Sequence, residues 1–139
     1  MEKLLELLNT AFEMEYADVF LYLKEAGMFR KKIIAGEKLA KIFEEFSQME
    51  LRHADHLAMK IIELGGEAQW NFRPLEVSSS LRKVLKKHLE YETKAYNLYG
   101  EIIEISEEPD FKLILKGIRE NEREHLEKVT DLLKKIKVR

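Results

Sequence analysis

Two short motifs place a glutamate three residues before a histidine: Glu50-x-x-His53 and Glu122-x-x-His125. In a helix, residues three apart project from one face in adjacent turns, so each motif offers a carboxylate and an imidazole side by side. Carboxylate oxygens with one imidazole suit iron(II) or manganese(II), and zinc is a possible substitute. A single Glu-x-x-His is a weak signal in a glutamate-rich chain, so these motifs need support from their surroundings.

Two further glutamates, Glu15 and Glu92, provide that support because each precedes one of the motifs. A tyrosine follows each of them by seven residues, Tyr22 in the first half of the chain and Tyr99 in the second. The order glutamate, tyrosine, Glu-x-x-His therefore occurs twice. We interpret this internal repeat as the sign of a site with approximate two-fold symmetry.

The segments that carry these residues have the pattern of long helices. Apolar residues recur every three or four positions between a few glycine and proline breaks, and no useful β alternation occurs. We predict an all-α four-helix bundle with one long crossover between helices 2 and 3. The predicted helices cover residues 3–30, 37–64, 80–106 and 109–137.

Local signals mark the ends of these helices. The Gly65-Gly66 pair suits a helix C-terminus, where a left-handed residue is needed. Ser80 and the two serines before it offer N-caps for helix 3, and Pro109 fits the first turn of helix 4. The long connection has enough residues to run along the bundle and make helices 2 and 3 parallel.

Four glutamates occupy core-facing positions where a plain bundle would have leucine: Glu15, Glu50, Glu92 and Glu122. Each lies at a similar distance from a tight turn, so the rise of a helix places all four near one level of the bundle. A buried carboxylate without a partner costs several kcal/mol, and four of them also repel one another. Two divalent ions would neutralise the cluster. The alternative, surface Glu–His pairs on an ordinary bundle, leaves the buried acids unexplained.

These motifs resemble the ferritin-like di-iron carboxylate family, and most closely the bacterioferritins. The segment from Leu8-Asn9 through Glu15 to Tyr22 resembles their first helix, and Glu50 through His56 resembles their second-helix motif. The resemblance runs through most of the chain and implies that the four-helix bundle is ferritin-like. It implies two iron ions as cofactors, with manganese or zinc as substitutes.

The resemblance also implies a role for each ligand. Glu50 and Glu122 would bridge the two ions, and Glu15 with His53 would complete one of them. The second metal would be completed in the same way by the matching pair of the other half, Glu92 and His125.

Departures from the family pattern limit the comparison. Leu51 stands where bacterioferritins carry a haem-ligating methionine, so no haem is predicted. Ala95 stands where rubrerythrins place a further glutamate, and a chain without cysteine cannot carry their rubredoxin module. The chain also ends where helix 4 ends, so the fifth helix of ferritin cages is not expected.

Other residues near the predicted site have two possible roles. Tyr22 and Tyr99 suit hydrogen bonding to a ligand carboxylate, electron transfer or ordinary core packing. His88, one turn before Glu92, suits a proton shuttle, a transient metal site or a hydrogen-bonded core histidine.

Three more side chains are predicted to lie outside the site. His56 is expected to be solvated. Trp70 and Phe72, in the crossover, are expected to cover the bundle's own apolar surface, with a subunit contact as the alternative.

Composition excludes several classes of function. The chain has 139 residues, 24 basic and 26 acidic side chains, a net charge of −2 and no cysteine. This balance argues against nucleic-acid binding, and the missing cysteines exclude thiolate metal sites and disulfides. No apolar run is long enough for a membrane span, and the N-terminus lacks the pattern of a signal peptide. We expect a single cytoplasmic domain over residues 1–139.

The predicted function is oxidation of Fe(II) by O2 or H2O2, in iron homeostasis or protection from oxidative stress. The protein would be a ferroxidase-type oxidoreductase and a homo-oligomer, a dimer or larger. Two alternatives stay open: a subunit of an iron-storage cage, and a small di-iron peroxidase or oxygenase with another substrate.

Overall fold

The computed structural model describes residues 1–71 and 74–135, and within them the chain forms four helices and no strand. The helices are α1 (Glu2–Phe29), α2 (Gly36–Glu63), α3 (Leu81–Ile105) and α4 (Pro109–Lys135). The predicted all-α fold is confirmed, and all the ends that can be compared agree within one residue. The predicted end of helix 4 at residue 137 lies outside the described residues, as does Phe72.

The helix ends use the residues that the sequence offered. Gly65 adopts a left-handed conformation with φ 84° just after α2. Ser80 is the N-cap of α3, and its side chain accepts a hydrogen bond from the backbone N–H of Lys83 at 3.4 Å. Pro109 is the first residue of α4, where its missing N–H costs nothing.

The chain divides into two compact units, Met1–Ser79 and Ser80–Arg139. The first contains α1, α2 and the crossover, and the second contains α3 and α4. In each unit the two helices form a hairpin that packs through its apolar positions. That the whole chain is one domain stays a prediction.

The crossover of the first unit is fastened along α1. The backbone N–H of Gln69 donates to Asn9 Oδ1 at 2.9 Å, and Lys24 Nζ donates to the carbonyl oxygen of Leu75 at 2.7 Å. Asn9 and Lys24 are about four helical turns apart, which corresponds to roughly 22 Å. The crossover therefore runs along α1 over this distance, in the direction that the long connection predicted.

Trp70 packs on the outer side of α1. Its ring centroid lies 4.5 Å from that of Tyr16 and 6.0 Å from that of Phe20. The tryptophan thus covers apolar surface of its own unit, as expected, although 40% of it stays exposed.

The turn between α1 and α2 is held in an unusual conformation. Ala35 has φ 64°, which a residue with a Cβ rarely adopts. A Cβ added to Gly36 would lie 2.4 Å from two carbonyl oxygens at the end of α1, so this position needs glycine. Arg30 forms ion pairs with Glu37 and Glu44 of α2 across the same turn.

None of the helices in the described part of the chain has an apolar stretch that would cross a bilayer.

Candidate metal centre

The first unit brings together three of the predicted ligands. Glu15 comes from α1, and Glu50 and His53 come from α2. His53 Nδ1 lies 2.8 Å from Glu15 Oε2, within hydrogen-bonding distance, and 3.6 Å from Glu50 Oε1. Each residue offers a ligand atom within 4.8 Å of those of the other two. We call this group the α1–α2 triad.

The second unit repeats the arrangement with the other three predicted ligands. Glu92 comes from α3, and Glu122 and His125 come from α4. His125 Nδ1 lies 3.8 Å from Glu92 Oε2, and the three residues again offer ligand atoms within 4.8 Å of one another. We call this group the α3–α4 triad.

The donor set of each triad fits a divalent metal ion. Two ligand atoms each about 2.1 Å from an ion are about 3 Å apart at a right angle and about 4 Å apart when opposite. The separations of 2.8, 3.6 and 3.8 Å fall in or near this range. Two oxygen donors and one imidazole per triad suit iron(II) or manganese(II) better than softer metals.

Burial strengthens the case for a cation. The four glutamates are at most 1% exposed, and the two histidines at most 5%. Each triad contains two carboxylates, whose mutual repulsion is screened little by water at such depth. A bound divalent ion would offset that repulsion, whereas a buried acidic pair alone lowers stability.

Burial also shifts one ligand toward the form that binds metal. The loss of hydration lowers the pKa of His125 below its ordinary value of 6.5, against the opposing influence of the nearby acids Glu122 and Glu124. The imidazole is therefore neutral at pH 7. A neutral imidazole has the free lone pair that a metal ion needs.

The three further residues predicted near the site are all buried. Tyr22 packs against Phe43 and Phe46, with ring centroids 5.5 and 5.3 Å away, so its core-packing role is seen directly. Tyr99 is fully buried on α3, and His88 is 2% exposed one turn before Glu92. Their action on a ligand or a proton stays a prediction.

The residues predicted to lie outside the site behave as expected where they are described. His56 is exposed on α2.

Sequence reasoning missed two buried acids of α1. Asp18 is 4% exposed and Glu25 is 3% exposed. They lie three residues after Glu15 and three after Tyr22, on the same helical face. This spacing was the available signal, but acidic side chains are so frequent on exposed helix faces that it is weak.

Known proteins identify the family of this chain. The sequence matches the ferritin-like domain family over residues 5–138, and the chain belongs to that family. No curated protein matches it. The fold is the ferritin-like four-helix bundle, with candidate carboxylate and histidine ligands for metal ions.

A solved structure shows the same fold. That structure is described as one of the ferritin like, diiron-carboxylate proteins from Bacillus anthracis str. Ames. Its sequence is 24% identical to that of this chain, and the TM-score between the two structures is 0.89. The match covers 95% of this chain and 96% of that one. In total 343 chains of solved structures match, so the fold is widely used and does not by itself assign a reaction.

Proposed function

We propose that this protein binds two Fe(II) ions, one in each triad, and oxidises them with O2 or H2O2. The observation that carries the proposal is the repetition of one buried donor set, two carboxylates and an imidazole, in both hairpins. One ion per triad gives two ions per chain. The likeness to a structure described as a diiron-carboxylate protein supports that number.

The triads would act by holding charge and excluding water. Glu15, Glu50 and His53 would hold one ion, and the matching residues of the α3–α4 triad would hold the other. Two Fe(II) ions supply the two electrons that, with two protons, reduce H2O2 to two waters or O2 to H2O2. The two carboxylates of a triad stabilise the extra positive charge of the oxidised ion, and burial strengthens that attraction.

We further propose that the role is consumption of peroxide or oxygen together with iron oxidation, in a cytoplasmic homo-oligomer.

Anaerobic metal analysis should give two Fe(II) per chain. Addition of H2O2 should then oxidise two Fe(II) for each peroxide consumed. The absorbance of the ferric product measures this oxidation. A chain that binds fewer than two ions, or that leaves them ferrous after peroxide and O2, contradicts the proposal.

Solution mass separates this role from mineral storage. A dimer or another small oligomer that oxidises only two Fe(II) per chain supports an oxidase or peroxidase role. A large hollow assembly that takes up many iron ions per chain would instead indicate a storage cage. Light scattering combined with iron loading measures both quantities on the same sample.

A further inference from the structure

Within the described residues, a side chain of the second helix in each hairpin donates a long-range hydrogen bond to a backbone carbonyl of the first helix. In the first unit Ser47 Oγ donates to the carbonyl oxygen of Val19 at 2.8 Å. In the second unit Arg119 Nε donates to the carbonyl oxygen of Tyr96 at 3.2 Å. We call these two hydrogen bonds the helix ties.

The two ties occupy equivalent positions relative to the ligands. Ser47 and Arg119 each lie three residues before the glutamate of a Glu-x-x-His motif. Val19 and Tyr96 each lie four residues after the glutamate of the first helix in their hairpin. The same point of the helix pair is therefore fastened in both units, one turn from the ligands, by side chains of quite different size.

The packing around each tie is adapted to its donor. The guanidinium of Arg119 lies over the ring of Tyr96, 4.0 Å from its centroid. A Cβ added to Gly100 would lie only 3.0 Å from Arg119 Nη2, so the long donor fits because glycine stands there. The equivalent residue of the first unit, eight after Glu15, is Leu23, beside a donor as short as serine.

The tightness of each tie parallels that of its triad. Ser47 is buried and its hydroxyl donates at 2.8 Å, an ordinary O–H···O length, and in the same unit His53 lies 2.8 Å from Glu15. The tie of Arg119 is longer and only partly buried, and His125 lies 3.8 Å from Glu92. A hydrogen bond between two helices opposes sliding along their axes, so it limits how far the ligands of one helix move relative to those of the other.

We propose that Ser47 and Arg119 are positioning residues that set the register of the two helices in each hairpin and thereby the metal affinity of its triad. This inference rests on the proposed function, because the register matters to affinity only if the triads hold metal. The α1–α2 triad, with the shorter and buried tie, is the tighter site. The α3–α4 triad is the weaker one.

The test is an anaerobic titration of the full chain with Co(II) alone. Binding is measured by calorimetry and by the visible absorption of the bound ion. The wild-type chain should show two binding steps, the first at the α1–α2 triad and the second at the α3–α4 triad. Ser47→Ala should weaken the first step about tenfold and leave the second unchanged, since the loss of a group that orients ligands costs at least that much affinity. Ser47→Thr keeps the hydroxyl and should restore the first step.

Gly100→Ala tests the second tie without removing its donor. The added methyl would crowd the guanidinium of Arg119, which must shift by a few tenths of an ångström, so the second step should weaken while the first is unchanged. Arg119→Met should have the same effect. The matched control is Thr130→Val, which removes a hydroxyl that donates to Leu126 O at 2.7 Å within α4 alone and should move neither step.

The outcomes separate the two proposals. A wild-type chain that binds no Co(II) overturns the proposed function and this inference with it. If wild type binds two ions but Ser47→Ala and Gly100→Ala leave both steps unchanged, the positioning role is wrong and the proposed function stands. Equal weakening of both steps by either variant also overturns the positioning role, because it indicates general loosening of the fold.

Discussion

In the α1–α2 hairpin, His53 lies 2.8 Å from Glu15, and the turn that joins the helices is strained and braced by Arg30. In the α3–α4 hairpin, His125 lies 3.8 Å from Glu92, and the turn ends in a proline that begins α4. The ligand types and their offsets are the same in both. The hairpins differ in the distance between the histidine and the glutamate of the first helix.

This difference separates two properties of a metal site. The identity of the ligands follows from residues at fixed offsets on a helix, so a repeated sequence pattern repeats it. The distance between ligands on different helices depends on packing and on hydrogen bonds between the helices, which the repeat leaves free to vary. Two triads of equal composition are thus expected to differ in affinity.

Loss of one ligand from either triad should produce the largest effect. Glu50→Gln and Glu122→Gln should each lower the rate of Fe(II) oxidation by at least on the order of 100-fold, since each removes a charged ligand. The double variant should be no slower than either single variant, because a two-electron reduction needs both ions. Stopped-flow absorbance of the ferric product measures these rates.

His56→Gln is the matched control for these variants. The histidine is exposed on the same helix as Glu50, so its replacement should leave the rate within about twofold of wild type. If the Glu122→Gln chain kept the full rate, the second triad would not take part in the reaction.

Removal of metal should produce the next largest effect. A ligand present at 1,000 times its Kd stabilises the folded state by about 4 kcal/mol per site, so chelation should lower the melting temperature by on the order of 10 °C or more. Glu50→Gln should reduce this chelation-dependent shift while leaving part of it, because the α3–α4 triad still binds. Calorimetry with and without chelator measures the shift, and equal melting temperatures for the wild type would contradict metal binding in both triads.

The sequence predicted most of the fold and the candidate ligands that the structure brings together, because both depend on local patterns. Helical periodicity places Glu92 and Glu122 on core-facing positions, and Ser80 and Pro109 mark helix starts by local chemistry. The helix ties could not be predicted, since Ser47 and its acceptor are 28 residues apart and Arg119 and its acceptor 23. A serine or arginine in a helix gives no signal of a distant carbonyl partner.

Burial of acids was predicted only where the repeat supported it. Glu15 was identified because Glu92 matches it in the second half. Asp18 has no acidic counterpart, since Ala95 lies at the same offset from Glu92, and its burial depends on packing that the sequence does not display. The left-handed Ala35 was missed for another reason, which is that alanine rarely adopts that conformation.

The pH dependence of the metal-free protein should reveal the environment of His125. Its pKa is lowered in the folded state by burial, whereas the unfolded chain has the ordinary value of 6.5. As pH falls below that value the unfolded state takes up more protons, so the contribution of His125 to the unfolding free energy is complete above it and declines below it. Urea unfolding at several pH values between 5 and 8 measures the slope.

His125→Gln should flatten this slope, because the substituted side chain does not titrate in either state. His125→Asn should behave alike, which distinguishes loss of the titrating group from a change in side-chain shape. Slopes equal to that of wild type in both variants would show that His125 is not kept neutral by burial. The expected loss of stability at low pH also bears on the comparison of the hairpins, since protonation of His125 would destabilise the α3–α4 triad.

The smallest expected effect concerns the two turns. Among the described residues, Ala35 is the only one other than glycine with a positive φ, and it lies in the α1–α2 turn. Ala35→Gly should raise the unfolding free energy by up to about 1 kcal/mol, because relief of the left-handed strain exceeds the entropy that glycine adds to the unfolded chain. Gly36→Ala, the adjacent control, should destabilise clearly, since its methyl would meet two carbonyl oxygens at 2.4 Å. Urea unfolding of the metal-free chains measures both. If Ala35→Gly is less stable than wild type, the strain at Ala35 is smaller than the entropy that glycine adds to the unfolded chain. In that case Gly36 and Arg30, and not relief of strain at residue 35, determine the stability of the α1–α2 turn.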